Sequence, residues 1–485
     1  MIDLLNNYSA NSEFYDEVVV DRENESHTYK DFLNLLSGIQ LEEFKSLNEN
    51  AKVTFLNQGI TYALYNKTES VEQIFPFDLI PRIINHSDWI KLQHGVIQRN
   101  LALNLFIKDV YNEGKILKDK VIPEKLIKSS KHYCKYIEGF VPKKEVYCHI
   151  CGTDIIQHSD GNFYVLEDNL RSPSGVSYVL TNRMAMSKVL PAAFDRTTIE
   201  PVSEYTDRLL EMLWNVSGRS LGDIFCVLLT PGSYNSAYFE HTYLAQKMGI
   251  ELVEGRDLYV ENDLVYLKTI GGKIRVDVIL RRIDDDFLDP EVFRSDSMLG
   301  VKGLMKAYVN GNVTIANAPG TGISDDKAVC AYVPDMIRYY LGEDPILSNV
   351  PTYICERPDE LQYVLENIEK LVVKPVDMSG GYGVCICDRM SKREIEVLKE
   401  ELKKNPRNYI AQPKMNLSTH MTYIEDEDSV QPRHIDLRTF TILGGNEPFV
   451  LKGGLTRTAL VKGSIIVNSS QGGGSKDTWV LKNKI

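Results

Sequence analysis

The sequence predicts a protein of mixed α/β and α+β class, and three observations support this prediction. The chain has 485 residues, with 43% hydrophobic and 25% charged residues, which is the composition of a folded globular protein of about three domains. Residues 224–282 alternate strand-like and helix-like segments, and this βαβ pattern predicts a parallel sheet with crossover helices. After Val350 the chain consists of short strand-like runs separated by glycine-rich breaks.

Residues 1–120 are predicted to be a mostly helical N-terminal section. Apolar residues recur at helical spacing from Lys91 to Tyr111, which predicts an amphipathic helix there. Residues 121–200 are predicted to form a helix near residues 125–138, a hairpin around Asp160-Gly161, and a second helix from Asn182 to Leu190.

Residues 201–320 form the predicted βαβ section, whose strand-like runs are FCVLLT, IELVEG and VDVILRR and whose helix AYFEHTYLAQKM ends at Gly249. Residues 321–485 carry one charged helix, which begins at the capping box from Ser391 to Glu394. The same section contains the short predicted strands LVVKP, GVCICD, NYIAQP, HIDLRTFTILGG, PFVLKGGL and SIIVNSS.

Charge and cysteine content exclude several classes of protein. The formal net charge is −12, so the surface as a whole repels phosphate backbones and nucleic acid is disfavoured as a partner. The 8 cysteines show no framework spacing, which indicates reduced thiols and a cytoplasmic location. The amino terminus lacks the pattern of a secretion signal, and no apolar run reaches the ~18 residues of a membrane span. We therefore expect neither secretion nor a membrane partner.

A hairpin around Asp160-Gly161 brings two carboxylates together. An Asp-Gly dipeptide favours a two-residue type I′ turn, which would pair Asp154 directly with Glu167, while Asn169 would point to the same face of the sheet. Two acids and an amide supply the oxygen ligands that suit Mg²⁺ or Mn²⁺. The alternative is an acid pair at the end of the strands that holds no metal.

A glycine loop follows the predicted strand LVVKP. Lys374 lies at the end of this strand, and Ser379-Gly380-Gly381-Tyr382-Gly383 follows it. Glycines let backbone N–H groups approach an anion, and the lysine supplies positive charge, so the loop is a candidate phosphate cradle. An ordinary glycine-rich turn is the alternative. Arg438 and Arg457 suit phosphate oxygens because a guanidinium group makes bidentate contacts. Taken singly, each arginine is better explained by a surface ion pair.

Taken together, these segments resemble the circularly permuted members of the ATP-grasp superfamily over nearly the whole chain. In ordinary ATP-grasp ligases, such as D-alanine–D-alanine ligase, the glycine-loop lid comes first and an acid hairpin ending in Glu-x-Asn comes last. Here the segment from GTDII to SPSG at 152–175 looks like that hairpin, and it precedes both the βαβ section and the lid. The resemblance implies an ATP-grasp fold, circularly permuted, with a Rossmann-like βαβ pre-ATP-grasp domain over 201–320, and with the core divided between 121–200 and 321–485.

The resemblance also implies roles for individual residues. It implies ATP and Mg²⁺ as cofactors, with the metal held by Asp154, Glu167 and Asn169. The residues implied to bind nucleotide are Lys327, Lys374, Ser379, Gly380, Gly381, Gly383, Ala411 and Gln412. The residues implied to act on the reacting groups are Arg438, Arg457, Asp436 and Lys374. Gln412-Pro413 stands where many relatives have Glu near the adenine-binding hinge, so preference for ATP over another nucleotide is left open.

Substrate contacts are predicted at three places. The turn SPSG at 172–175 resembles the substrate-side turn that follows the metal ligands, which makes Arg171 and Ser174 candidates. Gly232 and Asn235 lie in a loop at the carboxyl end of a predicted parallel strand, where such sheets bind ligands. Arg282 either binds a substrate carboxylate or belongs to a structural corner of salt bridges in the sequence RRIDDD.

The resemblance implies an ATP-dependent ligase that joins a small-molecule or peptide carboxylate to an amine through an acylphosphate. A thioester-forming or glutathionylspermidine-synthase-like ligase is a close alternative. A nucleotide-binding module without turnover, acting through a protein partner, is an alternative of another class. The retained acid trio and both lysines favour catalysis, because crowded like charges are costly without a function.

Overall fold

The computed structural model describes residues 8–24, 28–65, 70–196, 198–219, 224–378, 380–468 and 472–483. The α-helices of the first half are α1 (Glu17–Glu23), α2 (Lys30–Leu36), α3 (Leu41–Asn57), α4 (His86–Tyr111), α5 (Lys115–Lys118), α6 (Glu124–Lys128), α7 (Val176–Val189), α8 (Pro191–Arg196) and α9 (Tyr205–Val216). Those of the second half are α10 (Tyr238–Met248), α11 (Asp285–Leu288), α12 (Leu304–Val309), α13 (Lys327–Cys330), α14 (Val333–Leu341), α15 (Pro358–Asn367) and α16 (Lys392–Lys404).

The strands, given in chain order, are β1 (Thr61–Tyr65), β2 (Ser70–Ile74), β3 (Phe77–Ile84), β4 (Ile150–Gln157), β5 (Phe163–Asn169), β6 (Cys226–Leu229), β7 (Glu251–Val253), β8 (Leu258–Glu261), β9 (Leu264–Thr269), β10 (Gly272–Arg275) and β11 (Val278–Arg281). They continue with β12 (Thr314–Ala316), β13 (Ser348–Asn349), β14 (Tyr353–Ile354), β15 (Leu371–Pro375), β16 (Cys385–Ile386), β17 (Tyr409–Pro413), β18 (Thr419–Ile424), β19 (Ser429–Ile442), β20 (Phe449–Val450), β21 (Leu455–Thr458) and β22 (Gly474–Val480).

The largest sheet joins segments from both ends of the chain. Its strand order is β13-β5-β4-β19-β21-β22-β3, with β18 and β20 also paired to β19. Most neighbours are antiparallel, whereas β22 pairs with β3 in parallel. The predicted helical section 1–120 therefore also contains strands, and one of them lies in the same sheet as residues 474–480.

Helix α4 covers one face of this sheet. It begins at the N-cap Asn85, whose side chain accepts a hydrogen bond from the backbone of Asp88. Trp89, Leu92 and Val96 are buried against a set of sheet residues, and burial of such a side chain contributes about 1.5–3 kcal/mol. Those sheet residues are Ile84, Ile155, Phe163, Val165, Leu437, Val450 and Val480. The predicted helix from Lys91 to Tyr111 is confirmed and extends one turn further toward its N-terminus.

The βαβ prediction is confirmed by a parallel sheet of order β12-β11-β6-β7. Strand β6 leads into α10, which ends at Gly249 with φ 66°, and the chain returns through β7 in parallel with β6. A left-handed glycine at this position is a common helix ending. A small antiparallel sheet of order β10-β9-β8 follows within the same section.

A separate antiparallel sheet has the order β14-β17-β15-β16. Apolar residues of α15 and α16 cover one of its faces, and α16 begins at the predicted capping box of Ser391 and Glu394. These apolar residues are Val364, Ile395, Leu398 and Leu402, packed on Val373 and Ala411. The other face of this sheet is left to form a wall of a cavity.

Three predicted elements differ from the structure. The stretch near 125–138 contains only the short helix α6, and the helix predicted from Asn182 begins earlier, at Val176. The run SIIVN at 464–468 forms no strand, although it is within the described residues. Its apolar side chains line a cavity instead of packing beside a neighbouring strand. Among the described residues, no helix combines the length and the apolar character needed to cross a membrane.

Asn317 connects the parallel sheet to the β4–β5 hairpin. Its Oδ1 accepts hydrogen bonds from the backbone N–H groups of His149 and Ile150, each at 2.7 Å. Its Nδ2 donates to the carbonyl oxygens of Ile150 at 2.6 Å and Leu170 at 2.5 Å. One buried amide therefore satisfies four backbone groups on both strands of the hairpin.

We predict that Asn317→Ala lowers the free energy of unfolding by about 3 kcal/mol or more, because several buried backbone groups lose their partner at about 1–3 kcal/mol each. Urea denaturation followed by circular dichroism measures the change. Asn446→Ala, which removes a single exposed hydrogen bond to Glu211, is the control and should cost less than about 1 kcal/mol. Equal losses in the two variants would contradict the bridging role.

Candidate functional site

A cavity lies between the inner face of the small sheet and the large sheet. It encloses about 980 Å³ of empty space, including space open to solvent. Its apolar walls are Leu166, Val372, Ile386, Met415, Leu417 and Val467. Its charged end is Asp154, Glu167, Lys327, Lys374, Asp436 and Arg457. The cavity therefore offers an apolar slot at one end and concentrated charge at the other.

The hairpin that carries the acids has a different turn from the one predicted. Gly161 donates its backbone N–H to His158 O at 2.8 Å and takes the left-handed conformation at φ 77°. A type I′ turn would need positive φ at Asp160 as well, and Asp160 is not among the residues with positive φ. The turn is a type I turn followed by a left-handed glycine, so the type I′ prediction is wrong.

A β-bulge restores the predicted pairing of the acids. Near the turn Ile155 pairs with Val165, one position away from the predicted register, and a register shift between Asp154 and Ile155 then places Asp154 opposite Glu167. A bulge directs two adjacent residues of one strand toward one residue of the other, and both Leu166 and Glu167 line the cavity. The predicted pairing of Asp154 with Glu167 is therefore present, but a β-bulge and not a type I′ turn produces it.

Asp154 is bound by two arginines. Its oxygens accept hydrogen bonds from Arg438 Nε at 2.6 Å, Arg438 Nη2 at 2.8 Å and Arg457 Nη2 at 2.9 Å. Burial would raise the pKa of Asp154, but the two guanidinium groups outweigh it and hold that pKa well below its usual range. Asp154 is therefore a carboxylate at neutral pH.

Asp436 completes this group of charges. Arg457 Nε donates to Asp436 Oδ1 at 2.8 Å, and Arg457 Nη2 donates to Asp436 Oδ2 at 2.5 Å. Burial raises the pKa of Asp436 although Arg457 opposes the shift. The two acids and two arginines form a nearly neutral cluster at the charged end of the cavity.

Lys327 points into the cavity rather than into solvent. Asp326 caps α13 by accepting from Ala328 N at 3.0 Å and is itself held by Arg407 at 2.7 Å. Lys327 follows this cap, and its ammonium donates to Met378 O at 2.5 Å and lies 3.4 Å from Glu167 Oε2. Lys327 therefore connects the acid hairpin to the start of the glycine loop.

Lys374 supplies the second cation. Its Nζ donates to Gln412 Oε1 at 2.7 Å, and Gln412 Nε2 in turn donates to Thr352 Oγ1 at 2.9 Å. Burial lowers the pKa of Lys374 to about 8, a shift that the negative charge of Glu167 only partly offsets. At neutral pH most of this ammonium is charged and faces the cavity.

The glycine loop forms one edge of the cavity. Gly380 and Gly381 line it with φ of 67° and 76°, conformations that expose backbone N–H groups at little cost only in glycine. Gly383 packs beside Pro375, where an added Cβ would lie 2.8 Å from Pro375 Cγ. Ser379 lies outside the described residues, and the side chain of Ala411 is buried in the core beneath the small sheet.

The residues predicted to contact substrate differ in their bonding partners and in their distance from the cavity. Arg171 is partly exposed at the end of the hairpin, and its Nε donates to Asp325 Oδ2 at 2.8 Å. The carbonyl of Ser174 accepts from Arg438 Nη1 at 3.2 Å. Gly232 has φ 103° in the loop after β6, and Asn235 accepts from Ala237 N at 2.9 Å just before α10. Neither Gly232 nor Asn235 lines the cavity.

Arg282 makes structural contacts, but to residues outside the sequence RRIDDD, within which Arg281 pairs with Asp285 at 2.6 Å. Its Nη1 donates to Pro173 O and its Nη2 to Glu240 Oε1, both at 2.8 Å. Glu240 Oε2 accepts from the backbone of Gly175 and Ser177. With 4% of its side chain exposed, Arg282 holds the turn at 172–175 against α10 and does not reach the cavity.

The sequence predictions missed the wall formed by Ile465, Ile466 and Val467, which was assigned to a strand. The sequence held one signal for this wall: the apolar run lies between Gly463 and Gly472, and no partner strand is predicted beside it. Asp168 and Arg99 were also missed. The alternating geometry of β5 was the signal for Asp168, since it must point away from Glu167 and Asn169.

The donor set fits a divalent cation that is shared with phosphates. Among the described residues, no three His, Cys, Asp or Glu side chains are arranged to hold a metal by themselves. Glu167 is partly exposed to the cavity, and Asn169 donates its amide N–H to Gly152 O at 3.2 Å, which leaves its amide oxygen as the ligating atom. Mg²⁺ favours a coordination shell in which the protein supplies few oxygens and phosphates and water supply the rest.

Comparisons with known proteins agree with this geometry. The model of the circularly permuted ATP-grasp type 2 family matches residues 81–459. An uncharacterized protein of Synechocystis sp. is 48% identical over 469 residues, which is 97% of each chain. An uncharacterized protein of Mycobacterium tuberculosis is 48% identical over 453 residues, which is 93% of this chain and 81% of that protein.

Two further matches are a longer curated protein and a solved structure of similar fold. A Frankia alni protein named as a candidate glutamate–cysteine ligase is 38% identical over 96% of this chain, which spans 54% of that protein. The solved structure of a glutathione synthetase-like effector from Globodera pallida, in its apo form, has a TM-score of 0.60 at 12% identity, covering 91% of this chain and 98% of that one. At that identity the likeness concerns the fold alone.

We predict that Arg457→Met lowers the free energy of unfolding by about 3–5 kcal/mol, because two buried carboxylates lose a shared counterion. Urea denaturation at pH 7 measures the loss. The matched control is Arg338→Met, since Arg338 has 54% of its side chain exposed and pairs only with surface acids. That variant should cost less than about 1 kcal/mol, and a comparable loss in both would contradict the role of the buried cluster.

Proposed function

This chain belongs to the circularly permuted ATP-grasp type 2 family, and we propose that it is an ATP-dependent ligase that joins a carboxylate to an amine through an acylphosphate. The observation that carries the proposal is the charged end of one cavity. There Lys327, Lys374, Arg457 and the carboxylates of Asp154, Glu167 and Asp436 line the cavity beside a glycine loop. Arg438 does not line the cavity but is bonded to Asp154, and Asn169 lies two residues beyond Glu167 on β5. Phosphoryl transfer needs such positioned charges and no nucleophilic side chain.

In this proposal the nucleotide base occupies the apolar end of the cavity, beside Val372, Met415 and Leu417. Its phosphates lie under Gly380 and Gly381, with Lys327 and Lys374 offsetting their charge. Glu167 and Asn169 would hold Mg²⁺, which would supply neutralising charge to the phosphates. Asp154, the third metal ligand implied by the resemblance, is left out of this proposal because both of its oxygens are bonded to Arg438 and Arg457. Lys327 is then displaced from Glu167, to which it is only loosely paired at 3.4 Å.

The acid substrate is placed near Arg438, which is partly accessible with 14% of its side chain exposed. A carboxylate oxygen of that substrate attacks the γ-phosphorus, and ADP leaves. The amine then attacks the carbonyl carbon of the acylphosphate, and phosphate leaves. Arg438 and Arg457 are suited to the acylphosphate because Asp154 and Asp436 fix both guanidinium groups before substrate arrives.

Two considerations favour amide formation over the alternatives. The name of the Frankia protein refers to an amide-forming ligase, although this chain spans only about half of that protein, so the name supports the reaction class and not the substrate. The acids and lysines of the cavity also face one another across it, and such crowding has no structural benefit in a module that only binds nucleotide.

Hydroxylamine trapping tests the proposal. The protein is incubated with Mg·ATP, hydroxylamine and pools of amino acids, short peptides or dicarboxylates, and both hydroxamate and ADP are measured. We expect one pool to yield both products, because hydroxylamine captures the acylphosphate in place of the amine. Absence of both products from every pool, with Mg·ATP binding still detected by thermal shift, would favour the binding module instead.

We predict that Glu167→Gln reduces metal-dependent ATP consumption by at least about 100-fold, because the proposed metal site loses its carboxylate ligand. Glu200→Gln is the matched control, since Glu200 is similarly half-buried, pairs with Lys452 and lies outside the cavity. Both proteins should keep the circular dichroism spectrum of the unsubstituted protein. Unchanged ATP consumption in Glu167→Gln would remove the metal assignment.

We predict that nucleotide binding takes up a proton near pH 8 because of Lys374. Its pKa is lowered to about 8 in the free protein, and the phosphates favour the charged form, so binding raises that pKa and draws in up to about half a proton at pH 8. Affinity should therefore fall as the pH rises above 8. Titration calorimetry in buffers of different ionisation enthalpy measures the uptake.

Lys374→Arg is the control for this measurement, because a guanidinium group stays charged throughout the range. That variant should bind without the uptake and with a flatter pH dependence. The same uptake in the variant would assign the proton to another group.

A further inference from the structure

Asp168 stands between Glu167 and Asn169 in the chain but on the opposite face of β5. It is buried toward α4, at 1% exposure. Its Oδ2 accepts from Arg99 Nη2 at 2.6 Å, and its Oδ1 accepts from Arg99 Nε at 3.3 Å and from Thr153 Oγ1 at 3.0 Å. The residue that separates the two candidate metal ligands is therefore anchored from behind by a guanidinium fork.

The same guanidinium reaches the helix that carries Lys327. Arg99 Nη1 donates to Asn349 Oδ1 at 2.7 Å, and Asn349 Nδ2 donates to Cys330 O at 2.9 Å. Cys330 is the last residue of α13, which begins at Lys327, and its Sγ lies 3.8 Å from Asp168 Oδ2. One side chain thus ties together the strand of Glu167 and Asn169 and the helix of Lys327.

Arg99 is rigidly held on α4. It is fully buried, and the preceding turns of the helix pack on the large sheet through Trp89, Leu92 and Val96. Gly95, one turn earlier, lets the segment before β13 lie against the helix, since a Cβ there would be 2.4 Å from Leu347 Cγ. Asn349 follows two residues later, so its position relative to Arg99 is fixed by this close contact.

The geometry points to Arg99 as a positioning residue for the metal and phosphate groups of the cavity. A buried ion pair stabilises a fold no better than apolar residues of the same volume, whereas a planar fork sets the distance and orientation of everything bonded to it. We propose that Arg99 fixes Glu167 and Asn169 relative to Lys327. This proposal gives residues 1–120, which include Arg99, a role at the site. It rests on the proposed function, because it requires Mg·ATP to bind in this cavity.

Titration calorimetry of Mg·ATP tests this role without any turnover. Arg99→Lys keeps the charge and loses the fork. We expect it to weaken Mg·ATP binding by about 10–100-fold and to raise the Mg²⁺ concentration needed for half-saturation, as loss of such outer contacts does at metal sites. Arg183→Lys is the matched control, because Arg183, with only 12% of its side chain exposed, donates to the buried Asp477 and to two carbonyl oxygens, away from the cavity. Its affinity should stay within about twofold.

Equal affinities of Arg99→Lys and Arg183→Lys for Mg·ATP would overturn the positioning role. If Arg99→Lys does not fold, Asn349→Ala decides in the same way, since it removes only the link from Arg99 to α13 and should still weaken Mg·ATP binding severalfold. Failure of the unsubstituted protein to bind ATP in a Mg²⁺-dependent manner would overturn the proposed function, and the positioning role with it.

Discussion

The candidate site depends on the antiparallel pairing of β4 with β19, two strands almost 300 residues apart in the chain. In this register Arg438 lies directly opposite Asp154, while Asp154 lies opposite Glu167 on its other side. Asp436 lies opposite Arg457 on the next strand. Directly opposed residues share one face of a sheet, so three pairings place acids and arginines in neighbouring rows on the same face. Of these residues, Asp154, Glu167, Asp436 and Arg457 line the cavity.

The order of charges across these rows explains how they are buried together. Glu167 and Asp154 would repel each other, but Arg438 and Arg457 both donate to Asp154, and Asp436 in turn neutralises Arg457. Asp154, Asp436 and Arg457 are buried and Arg438 is partly accessible. Desolvation of such charged groups costs more free energy than burial of apolar residues of the same size. Their retention is explained by what the arrangement can bind, since both guanidinium groups are oriented in advance for an anionic group.

The remaining parts of the molecule hold these central strands in place from three sides. Helix α4 covers the face opposite the cavity and anchors Asp168 through Arg99. The parallel βαβ sheet approaches through Asn317 and Arg282, which bind the backbone at both ends of the hairpin region. The small sheet, with a hydrophobic core of its own under α15 and α16, supplies Lys374 and the glycine loop from the far side.

The sequence by itself determined the elements whose signals are local: helix α4, the βαβ unit, the capped helix α16, and the candidate acids of the hairpin. Tertiary structure decided the rest. It replaced the type I′ turn by a type I turn and a bulge, turned residues 464–468 into a cavity wall, and joined Arg99 to Asp168 and Arg282 to Glu240. Periodicity and turn residues act over a few positions, whereas these outcomes depend on which distant segments pack together, and no local pattern encodes that choice.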